Sequence, residues 1–203
     1  MKLTAALKEW AVAIDALEQG KTICLLRKGG IREKGGRFDV DRQQVLLYPT
    51  YEHQKPELLK SEYADKVTPV ESGWHPAKVN ITSWAKITDI LTLQTNKKVG
   101  AMPPCLPVAD DSVFTSLSPF YIWNDRAIRD RFNWKPKQPL YLLCLRTYKL
   151  PQTQIISYSE QYGGCRSWID LAQPISLEGS LPAIEQSHYQ QMVHKIRQLI
   201  QSE

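Results

Sequence analysis

Apolar residues recur along this chain at spacings that predict its helices. From about Thr4 to Glu18, apolar positions alternate in steps of three and four, which places them on one stripe of a helix that Gly20 would end. A second stripe predicts a closing helix from Ser180 to Ile200, with Pro182 in its first turn. The chain is therefore expected to begin and end with a helix.

Short runs rich in β-branched and aromatic residues predict strands. Thr22 to Arg27 and Val45 to Tyr48 flank a polar, glycine-rich turn and are expected to pair as a hairpin. The run from Trp84 to Ile90 alternates as a half-buried strand does. Leu140 to Tyr148 is the strongest strand pattern in the chain, and Gln154 to Tyr158 is expected to continue the sheet.

Two long irregular segments interrupt these elements. Residues 50–79 are polar and contain prolines, with a short helix expected near Pro56 to Tyr63. Residues 94–117 are rich in proline and are expected to form a long surface loop. Beyond that loop, Ser118 or Asn124 is expected to cap a short helix.

The order of these elements predicts an α+β protein. Helices and strands do not alternate regularly enough for a doubly wound parallel sheet. A small mixed sheet, or a sheet curled into a barrel with N- and C-terminal helices, fits the pattern better. We expect a single domain spanning residues 1–203.

Composition limits the class of protein. With 42% hydrophobic and 23% charged residues, the chain can bury a real core. Its apolar runs are too short for a membrane-spanning helix, and its N-terminus lacks the apolar block of a secretory signal, so we expect a cytoplasmic protein. The four cysteines lie far apart without the paired spacing of a zinc site, and we predict neither a metal nor a cofactor.

Positive charge is concentrated rather than spread evenly. The formal net charge is +5, and basic residues cluster in 21–37 and 126–149, the second stretch being interleaved with aromatic residues. Bases bind by stacking together with phosphate contacts, so this pattern favours RNA, DNA or a nucleotide-like ligand. The alternative is two ordinary solvated faces.

The exit of the first strand is the first candidate site. Arg27 and Lys28 precede Gly29-Gly30, where an ammonium group and bare backbone amides would suit a phosphate. Arg146, with Tyr148 beside it, lies in an apolar strand and must reach a partner or a cavity, because burying an unpaired guanidinium is costly. If the two strands are neighbours, both guanidinium groups are expected to face one pocket.

The corner after the next strand is the second candidate site. Phenols, a carboxylate and an imidazole are concentrated where the strand ends, a position that often carries function. His53 and Glu52 are the candidate pair for general acid–base catalysis, although a hydrogen-bonded structural corner is the simpler interpretation. The other candidate ligand contacts of this corner are Tyr48, Thr50, Tyr51 and Gln54.

Six segments together resemble a known bacterial family, catalogued as domain of unknown function 1802. The resemblance covers nearly the whole chain and implies no specific activity. An occasional association of that family with type I restriction components implies a nucleic-acid context. The segments are LLRKGGI, LLYPTYEHQ, SWAKITDIL, LSPFYIWNDR, PLYLLCLRTYKLP and YGGCRSWIDL.

At the level of fold, the first helix-to-strand joint resembles ASCH domains of the PUA-like superfamily. Gly20 and Arg27 match the ASCH spacing, Lys21 is one place early, and Leu25 stands where a glutamate is expected. The resemblance implies a PUA-like β-barrel and a cleft for RNA or modified nucleosides. The missing glutamate weighs against ASCH-type enzymatic activity.

Three functions are consistent with these observations. The first is a module that binds nucleic acid or a nucleotide-derived ligand. The second is a nuclease or hydrolase that uses the His53 and Glu52 corner, although the chain lacks a clean copy of the carboxylate and lysine spacing of restriction-type nucleases. The third is an assembly factor with a protein interface within residues 118–149.

Overall fold

The computed structural model describes residues 1–28, 33–34, 37–38, 43–93, 111–134, 139–164 and 166–201. Short 3₁₀ turns lie at Pro56–Leu58, Ser118–Phe120 and Glu160–Tyr162. The strands are β1 (Lys2–Trp10), β2 (Cys24–Arg27), β3 (Glu33–Lys34), β4 (Arg37–Phe38), β5 (Gln44–Thr50), β6 (Lys78–Leu93), β7 (Leu140–Ser157), β8 (Trp168–Ser176) and β9 (Leu181–Pro182). The helices are α1 (Ala11–Glu18), α2 (Ser61–Ala64), α3 (Asp111–Leu117), α4 (Asp125–Asn133) and α5 (Gln186–Gln201).

A seven-stranded mixed sheet organises the described part of the molecule. Its main order is β2-β7-β6-β5-β1-β8, and β9 adds a short pairing to β7. The β1 and β5 strands are parallel, and the other pairings in this sheet are antiparallel. The predicted α+β class with a small mixed sheet is therefore confirmed.

The predicted opening helix is wrong in its first half. The stretch Lys2–Trp10 is a strand, and helix begins only at Ala11. The β1 strand pairs with β5 on one edge and β8 on the other, and Ala6 and Leu7 are both 0% exposed although they point to opposite faces. Pairing on two edges and burial on two faces override the helical spacing of the apolar residues.

The predicted hairpin between the second and third elements is also wrong. The β2 strand pairs with β7, whereas β5 lies between β1 and β6. Helix α1 precedes β2, and the turn between them uses Gly20 at φ +67, the left-handed region that glycine tolerates best. A Cβ atom at Gly20 would lie 2.2 Å from Ile184 Cγ2, so this glycine also allows the segment before α5 to approach closely.

The two long strands exceed their predicted lengths. The Trp84 to Ile90 prediction falls inside β6, and both predicted segments after Leu140 belong to the single strand β7. Pairing of β7 with β6 resumes at Gln154 after stopping at Lys149, so Pro151 lies in the interrupted stretch, where its missing N–H leaves no gap in the ladder.

The helical predictions after residue 50 are confirmed in part. The expected short helix near Pro56 to Tyr63 is present as a 3₁₀ turn followed by α2, and Asn124 caps α4 by accepting a hydrogen bond from Ala127 N at 3.0 Å. The closing helix starts at Gln186 rather than Ser180, and Pro182 lies in β9, paired with Tyr148. The predicted loop 94–117 ends in helix α3, and residues 94–110 lie outside the described part.

Both faces of the sheet carry a core. The larger core includes Leu7 and Leu47 together with apolar residues of α1, α4 and α5. The smaller core includes Ala6 and Leu46, the sequence neighbours of that pair, and is built mainly from β1, β5, β6 and β8. Among the described residues, no helix is long and apolar enough to cross a membrane.

Candidate ligand site

A cavity of about 180 Å³ opens at the end of the smaller core. Strand ends and the turns that follow them form its walls. Tyr48, Val79 and Tyr162 belong to both the cavity wall and the smaller core. The cavity is lined by Lys8, Tyr48, Pro49, Thr50, Tyr51, Glu52, Gly73, Trp74, His75, Pro76, Val79, Tyr158, Tyr162, Gly163 and Gly164.

Aromatic side chains dominate this lining. His75 stacks on Tyr158 with ring centroids 3.4 Å apart and an interplanar angle of 11°. Tyr51 meets the Trp74 ring edge-on at 5.8 Å and 90°. Tyr48 and Tyr162 lie 5.9 Å apart at 62°. Flat rings at several orientations form a surface on which a planar ligand can stack.

Lys8 holds one wall of the cavity in place. Its register partner on the parallel strand β5 is Tyr48, so the two residues lie side by side. The Lys8 ammonium donates to the carbonyl oxygens of Tyr162 at 2.5 Å and Gly164 at 2.9 Å. Gly164 has φ +73, and a Cβ atom at Gly163 would lie 2.8 Å from the Tyr158 hydroxyl, so this turn needs its glycines.

Glu52 places a carboxylate at the cavity wall. Its Oε1 atom accepts from Gly73 N at 2.5 Å and from Ser72 Oγ at 3.3 Å, and it lies 3.1 Å from His53 Nε2. The hydrogen bond from the Gly73 backbone is the main cause that lowers the pKa of Glu52, with smaller contributions from His53, Ser72 and Lys8. Glu52 is therefore an ionised acceptor at neutral pH.

Tyr48 presents a buried hydroxyl group. The residue is only 3% exposed, and its Oη atom has no hydrogen-bond partner among the residues that the structure describes. Burial, with the nearby phenols of Tyr158 and Tyr162, raises the pKa of Tyr48 to about 12. The hydroxyl therefore stays protonated at neutral pH, and its hydrogen-bonding capacity is unused among the described residues.

The predicted corner is thus partly in the cavity. Tyr48, Thr50, Tyr51 and Glu52 line it. His53 contacts Glu52 from outside the lining, with a side chain that is 62% exposed and a backbone φ of +64. Catalysis by the His53 and Glu52 pair stays a prediction.

Gln54 has a contact that explains its position without a ligand. Its Oε1 atom accepts from Val12 N at 3.1 Å, which satisfies an otherwise unpaired amide in the first turn of α1. Its Nε2 atom donates to Tyr51 O at 3.3 Å. The side chain thereby ties the corner to the start of the helix.

Arg27 and Lys28 lie elsewhere, at the exit of β2. Arg27 Nη2 pairs with Glu9 Oε2 at 2.8 Å and donates to Lys8 O at 2.9 Å. The Lys28 ammonium donates to Phe132 O, and its burial lowers its pKa. Gly29 and Gly30, the rest of this predicted phosphate site, lie outside the described residues.

Arg146 does not share a pocket with Arg27, which corrects the sequence-based expectation. The two strands are neighbours, as expected, but Arg27 lies opposite Tyr141. Tyr141 and Arg146 are an odd number of positions apart on one continuous strand, so they point to opposite faces of the sheet. The side chains of Arg27 and Arg146 therefore leave the sheet on opposite faces.

Aromatic rings surround Arg146 instead of a shared cleft. Its guanidinium lies 5.5 Å from the centroid of Tyr148 and 5.3 Å from that of Tyr189, and its Nε donates to Tyr148 Oη at 3.0 Å. Tyr148 in turn stacks on Trp84 at 4.3 Å. Neither Arg146 nor Tyr148 belongs to the cavity lining.

Sequence reasoning missed several residues of the cavity. Lys8 was hidden by the incorrect helix assignment, Tyr158 was expected only as the end of a strand, and Tyr162 was not singled out as a site residue. Trp74 and His75 could have been identified from the sequence, because GWHP places an indole, an imidazole and a turn within a polar segment. The contact between Lys8 and Tyr162 joins residues 154 positions apart, which no local pattern encodes.

The aromatic segment 118–149 is mostly internal where it is described. Phe120, Tyr121, Trp123 and Tyr141 are buried, whereas Trp134 is 54% exposed. A protein partner for this segment stays a prediction. In the described ranges, no group of three or more His, Cys, Asp or Glu side chains is arranged to hold a metal ion.

Comparisons with known proteins give one family match and three structural likenesses. The family model described as "Domain of unknown function (DUF1802)" matches residues 6–195. The crystal structure of ASCH from Zymomonas mobilis is 11% identical, with a TM-score of 0.43, over 95% of this chain and 94% of that one. Two mutant forms of the same protein match with the same TM-score at 10% and 11% identity. No curated protein matches this chain.

Proposed function

The chain belongs to the DUF1802 family, and we propose that it binds a single nucleobase, presented by single-stranded nucleic acid or by a nucleoside or nucleotide, in the aromatic cavity. The observation that carries the proposal is the Tyr48 hydroxyl, which is buried at the cavity without a hydrogen-bond partner among the described residues. Leaving a buried hydroxyl unsatisfied costs free energy, and a polar atom of a ligand would satisfy it.

The size and lining of the cavity support a ligand with one flat ring system. Its volume of about 180 Å³ is several times the roughly 30 Å³ that a water molecule occupies. It is smaller than the roughly 300–1,000 Å³ typical of pockets for drug-sized molecules. The stacked His75 and Tyr158 pair and the 45% exposed Trp74 offer π faces to such a ring. Base stacking on aromatic side chains is a general mode of single-strand recognition.

The charges at the cavity support recognition of the base rather than of the phosphate. Lys8 is bonded to two backbone carbonyls and lies near the Glu52 carboxylate, so the charges of the two residues offset each other. The cations that the sequence singled out, Arg27, Lys28 and Arg146, are not in the lining. A phosphate attached to the bound base would therefore remain outside the cavity.

A binding function is favoured over catalysis because of where His53 lies. It contacts Glu52 but is mostly exposed and does not line the cavity. A general base must come within hydrogen-bond reach of the proton that it removes. Tyr48 and Glu52 meet the positional requirement of recognition, since both line the wall.

Calorimetric titration of the protein with nucleosides, nucleotides and short single-stranded RNA and DNA tests the proposal. Tyr48→Phe should weaken binding by about tenfold, the typical worth of one buried hydrogen bond. The same variant should be as stable as the wild type, because the removed hydroxyl has no protein partner. Tyr63→Phe is the matched control, a buried tyrosine of α2 outside the cavity, and it should leave affinity unchanged.

Salt dependence provides a second criterion. A base held in a cavity without excess charge should bind with a weak dependence on salt, unlike a polyanion held through its phosphates. Failure of every nucleoside, nucleotide and single strand to bind at low salt would reject the proposal. A steep salt dependence that Tyr48→Phe leaves unchanged would reject it as well.

A further inference from the structure

One oxygen of Glu52 is available at the cavity wall. The contacts of Glu52 with Gly73, Ser72 and His53 all fall on Oε1, so within the described residues Oε2 has no hydrogen-bond partner. The hydrogen bonds from Gly73 N and Ser72 Oγ to Oε1 hold the carboxyl group at the wall without His53. Because Glu52 lines the cavity, a ligand there meets an acceptor with fixed geometry.

A carboxylate discriminates between bases by the kind of group it meets. When ionised it only accepts hydrogen bonds, so it pairs with an N–H donor and is repelled by a carbonyl oxygen. Cytosine, adenine and guanine carry an exocyclic amino group, which uracil and thymine lack. Acceptance from such an amino group is an established way for glutamate to read a base edge.

The hydroxyl of Tyr48 is the second polar group that we consider in base recognition. Tyr48 keeps its proton at neutral pH because burial raises its pKa to about 12, so its hydroxyl can donate to a carbonyl oxygen or a ring nitrogen. Bases with an amino group carry such an acceptor elsewhere on the ring. Tyr48 and Glu52 both line the cavity, so its wall includes one hydroxyl donor and one carboxylate acceptor.

We infer that Glu52 makes the cavity selective for nucleobases with an exocyclic amino group, against uracil, thymine and other bases with a carbonyl in that place. The inference rests on the proposed function, because it assigns the specificity of the same site. It concerns recognition only and needs no reaction at the base.

Two nearly isosteric pairs of nucleosides test this selectivity by calorimetry. Cytidine should bind at least about tenfold more tightly than uridine, and adenosine more tightly than inosine. Each pair exchanges an amino group for a carbonyl and turns the neighbouring ring nitrogen from an acceptor into a donor. Glu52→Gln keeps an Oε1 acceptor for Gly73 and replaces the other oxygen with an amide donor. This variant should reduce both ratios to about one or invert them.

His53→Ala is the matched control. His53 contacts the same Oε1 atom but lies outside the lining, so its removal should preserve both ratios. Thermal unfolding of each variant verifies that it is folded before titration.

The outcomes separate this inference from the proposed function. Equal affinity for cytidine and uridine in the wild type would overturn the selectivity while leaving base binding intact. Unchanged ratios in Glu52→Gln would overturn the role of Glu52. If no nucleoside binds at all, the proposed function itself is wrong.

Discussion

At the scale of single residues, the charges within the larger core depend on one carboxylate. Glu9 is 6% exposed and bonds to Trp10 N as well as Arg27. Arg131 lies close by, donating to Leu26 O at 2.9 Å with its guanidinium 4.6 Å from the Trp123 ring. Burial lowers the pKa of Arg131. The Glu9 carboxylate raises this pKa, and the Arg27 guanidinium lowers it further. Two guanidinium groups therefore share one buried anion.

Replacement of Glu9 should be strongly destabilising. Glu9→Ala leaves Arg27 and Arg131 without their carboxylate, and breaking a buried ion pair from one side costs about 3–5 kcal/mol. Urea denaturation followed by circular dichroism measures this loss. Asp130→Ala is the control, because its pair with Arg126 is mostly exposed and should be worth less than about 0.5 kcal/mol. A loss below about 1 kcal/mol for Glu9→Ala would show that the arginines find other partners.

The sequence could predict part of the site because some of its signals are local. The Tyr48 to Glu52 corner was identified because polar side chains concentrate where a strand ends. Arg27 was expected to face a ligand pocket, and its carboxylate partner, Glu9, was assigned to a helix that is partly a strand. The expectation that Arg27 and Arg146 meet depended on register, which side-chain alternation makes sensitive to a shift of one residue.

At the scale of elements, the irregular segment after β5 is anchored to the start of α4. Leu59 forms an isolated β-bridge with Trp123, and Lys60 N donates to Ile122 O at 3.0 Å. Asn124 adds to this junction, since its Nδ2 donates to Glu57 O at 2.9 Å and Leu59 O at 3.1 Å. The sequence predicted the capping role of Asn124 from its position before a helix. Its bonds to residues 57 and 59 come from the tertiary fold.

Two replacements of Asn124 separate the effects of its two kinds of hydrogen bond. One bond, from Ala127 N, caps α4, and the others, to Glu57 O and Leu59 O, anchor the segment after β5. Asn124→Ala loses both and should reduce the free energy of unfolding by about 2–3 kcal/mol. Asn124→Ser keeps an oxygen for Ala127 N but lacks the amide donor, so its loss should be about 1–2 kcal/mol. Chemical denaturation measures both values. Equal losses would mean that the bonds to Glu57 and Leu59 contribute nothing.

At the scale of the whole molecule, the sheet separates the cavity from the ion pair of Arg27 and Glu9. The cavity adjoins the smaller core, whereas Arg27 and Glu9 lie on the face of Leu7 and Leu47, which belongs to the larger core. The sequence could predict the α+β class and four of the strands, β2, β5, β6 and β7, because each of these has its own apolar pattern. It could not predict which strands are neighbours, since β2 pairs with β7 across more than a hundred residues of chain.

Buried tyrosines in both cores should make the free energy of unfolding depend on pH in the alkaline range. Burial raises the pKa of Tyr48 and Tyr63 from 10.0 to about 12, and it also raises the pKa of Tyr121 and Tyr189. Below pH 10 these phenols keep their protons in both the folded and the unfolded chain, so they add no pH dependence. Between about pH 10 and pH 12 the unfolded chain releases protons that the folded chain retains, so the free energy of unfolding should fall.

This coupling is tested by measuring the urea concentration at the midpoint of unfolding at several pH values from 8 to 11. Phenolate absorbance is followed in parallel. The wild-type midpoint should fall as pH rises above 10, and phenolate should appear together with unfolding. Tyr48→Phe removes one of the phenols that the folded state keeps neutral, so the urea midpoint of this variant should fall less steeply over the same pH range. At pH 8 the midpoints of the variant and the wild type should be equal. An equally steep fall in Tyr48→Phe would contradict the burial of this hydroxyl, and with it the basis for placing a ligand beside it.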